Sequence, residues 1–148
     1  MIEISRMTES DIPTAAEISR RNSPDPWTES TFVSFFGKSL TAFLVAKEDG
    51  KLCGFLIGSM IGEYKSVEIL AVDLPYRRKG AATMLMNSFA KLSPNLPISL
   101  EVRKHNAAAV AFYEKYGFTK CAVRKKMYND PPDDGLVYIY EKNTGSNL

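Results

Sequence analysis

Apolar and polar positions along this chain follow two periods, that of a strand and that of a helix. Ile2 to Arg6 alternates as a half-buried strand does, and Thr8 with Asp11 then supplies a capping-box-like start for a helix running to about Arg21. The Asn22-Ser23-Pro24-Asp25-Pro26 cluster ends that helix, because proline removes a backbone donor and pushes the residue before it out of the helical region. A second short helix is predicted after Trp27, with Thr28 as its N-cap. Thr41 to Lys47 and Lys51 to Met60 read as apolar strands around Asp49-Gly50, a dipeptide suited to a tight hairpin turn. Tyr64 to Val72 reads as a further strand, and Gly80 to Leu92 as a helix with Leu85, Phe89 and Leu92 on one face. After Ser93-Pro94-Asn95-Leu96-Pro97, Ile98 to Arg103 alternates again. Asn106 can cap a helix through Tyr116, and Gly117 stands where a left-handed residue closes it. Two last strands, about Thr119 to Met127 and Leu136 to Glu141, are expected to flank a loop containing Pro131-Pro132-Asp133-Asp134-Gly135, longer than a minimal turn.

The resulting order is strand, two helices, three strands, helix, strand, helix, two strands, with no internal repeat and no linker. A mixed α/β sheet is expected. Residues 1–142 are expected to form one domain and residues 143–148 a disordered tail, since 148 residues leave room for one complete core. At Gly80 the antiparallel front half gives way to strand-helix-strand units, a change that favours a ligand crevice at strand C-terminal ends.

Composition narrows the chemistry. Hydrophobic residues make up 45% of the chain without any run long enough to cross a bilayer, and Met1 to Met7 lacks the pattern of a secretory signal, so a cytoplasmic location is expected. Nineteen basic against 17 acidic residues give a net charge of +2, too mild to make nucleic acid the principal ligand. Cys53 and Cys121 lie far apart and form no metal-type pair, so both are expected to be buried free thiols without a catalytic role. His105 is the single histidine, which excludes a multi-histidine metal site, and no Gly-x-Ser-x-Gly or Cys/His arrangement points to a hydrolase. Carboxylates, phenols, amides and backbone remain.

Val72-Asp73-Leu74-Pro75-Tyr76-Arg77-Arg78-Lys79-Gly80-Ala81-Ala82 joins an apolar strand to an amphipathic helix through a basic loop that ends in small residues. Such a design suits phosphate. A helix N-terminus exposes unpartnered N–H groups and a partial positive charge, Gly80 and Ala82 allow close backbone approach, and Arg77, Arg78 and Lys79 add full charges. On this segment alone, a solvated basic turn capping a helix is an equal alternative.

The same stretch resembles the Arg/Gln-x-x-Gly-x-Gly/Ala signature of the GNAT N-acetyltransferase superfamily, with Arg77, Gly80 and Ala82 at its positions and alanine at 82 where glycine is common. A closer likeness, over nearly the whole chain, is to the RimI-like ribosomal-protein-alanine N-acetyltransferase branch. It is carried by Asp25-Pro26-Trp27-Thr28-Glu29-Ser30-Thr31-Phe32, by Glu101-Val102-Arg103-Lys104-His105-Asn106-Ala107-Ala108-Ala109 and by Phe112-Tyr113-Glu114-Lys115-Tyr116-Gly117-Phe118. Asp133-Asp134-Gly135 follows that branch's acidic-acidic-alanine pattern only loosely.

The resemblance implies the acyl-CoA N-acyltransferase fold, a mostly antiparallel mixed sheet of about seven strands with about four helices. It also implies acetyl-CoA as cosubstrate, without a metal. By resemblance, backbone amides in Arg77, Arg78, Lys79, Gly80, Ala81 and Ala82 hold the coenzyme's pyrophosphate. The strand Ile69, Leu70, Ala71 and Val72 then pairs through its backbone with pantetheine and the acetyl carbonyl, and Asn106 contacts the coenzyme besides capping its helix. The oxyanion donor is expected to be a backbone N–H near Leu70 to Val72. Trp27 is expected at the edge of a peptide groove, with a core tryptophan as the alternative.

Resemblance assigns Glu101 the role of base. Read from its residues alone, the strand places Glu101 on the polar side beside Ile98, Leu100 and Val102, where pairing with Arg103 or Lys104 would be the plainer reading. Glu68 is the rival, since other branches use a glutamate on that strand. Tyr113 follows Asn106 by nearly two turns on the same helix face and, by resemblance, donates a proton to the leaving thiolate, while Phe112 and Tyr116 are expected in the core. His105 is expected at the surface.

Acetylation of a primary amine by direct attack is therefore the expected activity, most naturally on a protein N-terminal α-amine. An α-amine of pKa near 8 is roughly one-fifth neutral near pH 7.4, against about one part in a thousand for lysine. The expected partners are acetyl-CoA and a protein or peptide N-terminus such as that of a ribosomal protein, with neither nucleic acid nor membrane, on a monomer or weak dimer. A lysine side chain or small-molecule amine is the alternative acceptor. An inactive acyl-CoA-binding sensor is the alternative from another class, and Glu101 with Tyr113 speaks against it.

Overall fold

Local signals set most of the element boundaries. In a computed structural model, which describes residues 1–141, the described chain divides into two compact units, one of Met1–Ile61 with Val67–Leu92 and one of Gly62–Ser66 with residues 93–141. The expected tail at 143–148 lies outside the described residues.

The first unit opens with β1 (Ile2–Arg6), whose end is fixed by a capping interaction, the Thr8 N–H donating to Asp11 Oδ2 at 2.9 Å ahead of a 3-10 turn and α1 (Ile12–Asn22). Ile12, Ala15, Ile18 and Ser19 form the buried stripe of α1. Ser19 is buried because its Oγ accepts from the Trp27 N–H at 2.8 Å, which ties the loop after α1 to the helix. Thr28 caps α2 (Glu29–Phe35) by accepting from the Thr31 N–H at 3.2 Å. β2 (Thr41–Glu48) and β3 (Lys51–Ser59) pair antiparallel about Asp49-Gly50, whose φ values of 52° and 82° fit a turn that follows strand twist.

β3 is buried on both faces from Leu52 to Gly58, which explains its near-continuous apolar run. β4 (Lys65–Val72) and α3 (Ala81–Lys91) follow. Phe32, fully buried, makes edge contacts with Trp27 and Phe55, each at 5.3 Å between ring centroids, within a core that includes Ile18, Val45, Ile57 and Ile69. Trp27 packs partly buried on that cluster. Leu85 and Phe89 are buried on α3 as expected, but Leu92 lies past the helix end and is exposed. Its amide bonds Phe89 O, which ends the helix before Leu92 can join the stripe.

The second unit contains the start of β4, β5 (Ile98–Arg103), α4 (Ala107–Tyr116), β6 (Thr119–Asn129) and β7 (Pro132–Tyr140). Lys65 and Ser66 pair parallel with Ile98 and Ser99, and β7 lies antiparallel to both β5 and β6. The hydrogen-bonded strand order is β1-β2-β3-β4-β5-β7-β6, so the sheet is mixed and mostly antiparallel, with four helices.

Two expectations fail here. The proline- and aspartate-rich stretch is not a long loop, because β7 begins at Pro132 and only Asp130-Pro131 separate the strands. Turn-forming residues are accommodated in the ladder because Asp133 and Asp134 accept backbone N–H bonds from His105 (3.1 Å) and Lys126 (2.9 Å), while register shifts on β6 absorb the extra residues. Arg103, buried, pins the turn by donating to Pro131 O at 2.6 Å and Asp130 O at 3.0 Å. Cys53 is buried, but Cys121 is exposed because β6 stands at the end of the strand order with open faces. Among the described residues no helix is long and apolar enough to cross a membrane.

Candidate active site

In the first unit the candidate cofactor residues form one continuous strand-turn-helix. Ile69 and Ala71 of β4 point into the core, which leaves Leu70 and Val72 half-buried on the other side. Asp73 then fixes the exit from the strand. Its carboxylate accepts from Arg21 Nη2 and Asn22 Nδ2, both at 2.8 Å, and from the Leu74 N–H at 3.2 Å. Burial pushes this carboxyl up, but the hydrogen bonds from Arg21 and Asn22 outweigh it and hold the group below the usual aspartate range.

The three basic residues separate into different roles. Arg77 turns back on the scaffold, donating from Nε to Val72 O at 3.2 Å and from Nη2 to Asn22 Oδ1 at 3.1 Å. Lys79 pairs with Glu48 Oε1 at 3.3 Å and lies over the Tyr76 ring. Arg78, held at φ 68°, is exposed and makes no ion pair among the described residues. Gly80 has φ 85° and ψ 6°, a left-handed conformation that glycine adopts without strain, and a Cβ there would meet nothing within 4 Å.

The ladder of α3 begins with the Met84 N–H on Gly80 O at 2.9 Å, so the amides of Ala81, Ala82 and Thr83 stand ahead of it. Ala81 is buried, which anchors the helix start, and Ala82 is half-buried. The amides ahead of the ladder, a helix dipole, open space at Gly80 and the Arg78 charge fit a diphosphate.

In the second unit Glu101, Asn106 and Tyr113 come from β5 and α4. Glu101 lies on the polar side of β5 as expected, but its partner is neither Arg103 nor Lys104. Arg103 is directed to the Asp130-Pro131 turn, and Arg124 Nη1 of β6 donates to Glu101 Oε1 at 2.9 Å. Asn106 caps α4 by accepting from the Ala109 N–H at 3.3 Å. Tyr113 is the buried residue of α4, whereas Phe112 and Tyr116, expected in the core, are only partly buried. The weak amphipathicity of this alanine-rich helix left the inward face to be chosen by the aromatics around it, with Phe112 at 5.4 Å and Phe118 at 5.5 Å from the Tyr113 ring. Burial pushes the Tyr113 phenol up to about 12, so it is a neutral donor throughout the physiological range.

Glu68, in the first unit, is exposed and accepts from Ser59 Oγ at 2.7 Å. His105 is exposed as expected and pairs through Nδ1 with Asp133 at 2.8 Å. Arg124 was not singled out from the sequence, where it stands in an unremarkable basic run with Lys125 and Lys126. Among the described residues no group of three or more His, Cys, Asp or Glu is placed to hold a metal ion.

The family model described as Acetyltransferase (GNAT) family matches residues 12–118, a span that includes the turn at Gly80, Glu101, Asn106 and Tyr113. The chain belongs to the acetyltransferase (GNAT) family. It is thus an N-acetyltransferase. Among GNAT relatives, the [ribosomal protein bS18]-alanine N-acetyltransferase of Escherichia coli (strain K12) is 33% identical over 138 residues, covering 91% of each chain. An N-alpha-acetyltransferase of Saccharolobus solfataricus is 32% identical over 143 residues, covering 86% of each. The crystal structure of the ribosomal-protein-S18-alanine N-acetyltransferase from Escherichia coli superposes with a TM-score of 0.86 at 30% identity, over 100% of this chain and 99% of that one. Together with the seven-stranded sheet, these likenesses establish the GNAT fold.

Proposed function

We propose that this GNAT enzyme acetylates the N-terminal α-amine of a protein, with an N-terminal alanine of a ribosomal protein as the leading acceptor. The observation that carries this reading is the likeness to the bS18-alanine enzyme over 91% of both chains, which spans the candidate acceptor side as well as the cofactor turn. The chemistry agrees, because an α-amine is already partly neutral near pH 7 and asks little of a carboxylate base.

Acetyl-CoA supplies the thioester-activated acetyl group. Backbone amides of Arg78, Lys79, Gly80, Ala81 and Ala82 hold the phosphates, and Arg78 supplies the side-chain charge that the scaffold leaves uncommitted. Arg77, whose own N–H donates to Leu74 O at 3.2 Å, braces the turn from behind. Ile69, Leu70, Ala71 and Val72 offer main-chain groups for the pantetheine and the acetyl oxygen, and Asn106 offers its amide besides the cap. Glu101 orients the incoming amine and takes its proton, directly or through water, in preference to Glu68. Tyr113, with a phenol at about 12, acts chiefly as a hydrogen-bond donor to the departing sulfur, completing proton transfer only as charge builds there.

Residues 1–142 act as one acetyltransferase domain, a reading supported by a family match that runs through both compact units. The enzyme works in the cytoplasm as a monomer or weak dimer, without nucleic acid or membrane.

Mass spectrometry of protein N-termini in cells with and without this chain tests the acceptor. Loss of acetylation at one or a few alanine N-termini is expected. Unchanged N-termini, combined with faster turnover of lysine peptides or polyamines in vitro, would overturn the α-amine assignment.

A further inference from the structure

Glu101 is held by a cation that reaches it across another strand. The ladders pair Arg103 with Gly135 and Gly135 with Arg124, while Glu101 faces Val137, so Arg124 of β6 crosses β7 at Gly135 to reach Glu101 diagonally. The contact is monodentate, Arg124 Nη1 to Glu101 Oε1 at 2.9 Å. A Cβ at Gly135 would stand 3.0 Å from Met127 Cγ, 3.1 Å from Met127 Cβ and 3.5 Å from Glu101 Oε2, so only glycine leaves room there for Met127 and the carboxylate together. Thus one oxygen of the carboxylate is held by a hydrogen bond, and Oε2 accepts none among the described residues. Arg103, on the same strand as Glu101, is committed to the carbonyls of Asp130 and Pro131 and to the Tyr128 ring at 4.3 Å. The two partners are 56% and 31% exposed, and an ion pair that open contributes little to folding.

We propose that Arg124 is a positioning residue for acetyl transfer, fixing Glu101 Oε1 so that Oε2 faces the acceptor amine, with Gly135 as the gap that permits it. The proposal rests on Glu101 being the base. Arg124 touches no reacting atom in this scheme and acts only through the carboxylate. Because its contact is through a single nitrogen, lysine at this position can replace it in part.

A double-mutant cycle separates this from a structural role. Arg124→Gln, Arg124→Lys, Glu101→Gln and Glu101→Gln/Arg124→Gln are assayed by thiol release from acetyl-CoA. The acceptor is whichever amine turns over best among Ala-, Ser- and Met-starting peptides, a lysine peptide and spermidine. Arg124→Gln is expected to lower kcat about tenfold or more with the KM for acetyl-CoA within about twofold, and Arg124→Lys to recover most of the loss. In the Glu101→Gln background, removing Arg124 is expected to change nothing further. Tm should stay within about 4 °C of the parent in all four variants.

If Glu101→Gln lowers kcat but Arg124→Gln leaves it unchanged, or the two losses multiply in the double variant, Arg124 does not act through Glu101 and the proposal fails alone. If Glu101→Gln itself leaves kcat unchanged, the base assignment fails and the proposal with it.

Discussion

Gly54 offers a quantitative test of how closely β3 must support the strand proposed to receive the acetyl donor. A Cβ at this position would lie 2.9 Å from Ala71 O, 3.1 Å from Val72 Cγ2 and 3.3 Å from Val72 Cα. The first and last of these neighbours are backbone, and the Asp73 N–H bond to Cys53 O at 2.8 Å holds the two strands together beside them. Neither strand can give by rotating a side chain. Overpacking of this kind costs about 1–3 kcal/mol. Gly54 lies outside the positive-φ region, so alanine recovers up to about 1 kcal/mol of unfolded-state entropy. With two backbone neighbours this close, the overpacking cost lies in the upper part of its range, about 2–3 kcal/mol. The net loss for Gly54→Ala is therefore about 1–3 kcal/mol, a fall in Tm of roughly 2–12 °C for a chain of this size.

The same displacement moves the Ala71 carbonyl by a few tenths of an ångström, so the KM for acetyl-CoA is expected to rise about three- to tenfold. Differential scanning calorimetry and steady-state kinetics read the two effects. Gly62→Ala, where φ is 81° but nothing lies within 4 Å, provides a variant with backbone strain alone. A Gly54→Ala protein with the Tm and acetyl-CoA KM of its parent would refute the reasoning, since the strands would then separate without cost or consequence.

Three further outcomes are expected. Tyr113→Phe should lower kcat about 100-fold or more while acetyl-CoA affinity, read by calorimetry, stays within about twofold; unchanged turnover would remove the phenol from the mechanism. Arg78→Glu should weaken acetyl-CoA binding strongly at low salt and less in about 1 M salt, whereas Arg77→Ala should chiefly lower stability to urea, by about 0.5–1.5 kcal/mol, because Arg77 braces Val72 O and Asn22. Equal effects of the two on binding would contradict that division. Asp73, held below its ordinary range, stabilises the fold when ionised. Its contribution is complete above about pH 5 and is lost as pH falls through the lowered value, so the Tm advantage of the parent over Asp73→Asn should shrink below about pH 4. An advantage independent of pH would assign Asp73 a role other than its charge.

Features governed by nearest neighbours in sequence were legible before any coordinates. Thr28 and Asn106 accept the cap bonds their positions imply, Asp49-Gly50 turns the hairpin, and Gly80 takes the positive φ that a strand-to-helix turn needs. What escaped the sequence depends on register. The Arg124 contact with Glu101 spans 23 residues and depends on a β6 register with shifts on either side of Arg124 that no periodicity announces. Pro132-Asp133-Asp134-Gly135 reads as loop by composition, yet two aspartates replace water with backbone donors and draw it into β7. The inward turn of Tyr113 in place of Phe112 and Tyr116 likewise follows from Phe118, beyond the end of α4. The basic loop shows the same limit: its charges were visible, but only Asn22 and Glu48, from distant segments, reveal which side chains are committed.

Recognition of the coenzyme's diphosphate at the turn before α3 is the claim on which the remaining assignments depend. Calorimetric titration of the purified chain with acetyl-CoA and, separately, with S-acetylpantetheine, which lacks the diphosphate and nucleoside, tests it most directly. Saturable binding of acetyl-CoA at least about 100-fold tighter than that of S-acetylpantetheine is expected from contacts of this kind. Equal affinity for the two, or no heat with either, would contradict it.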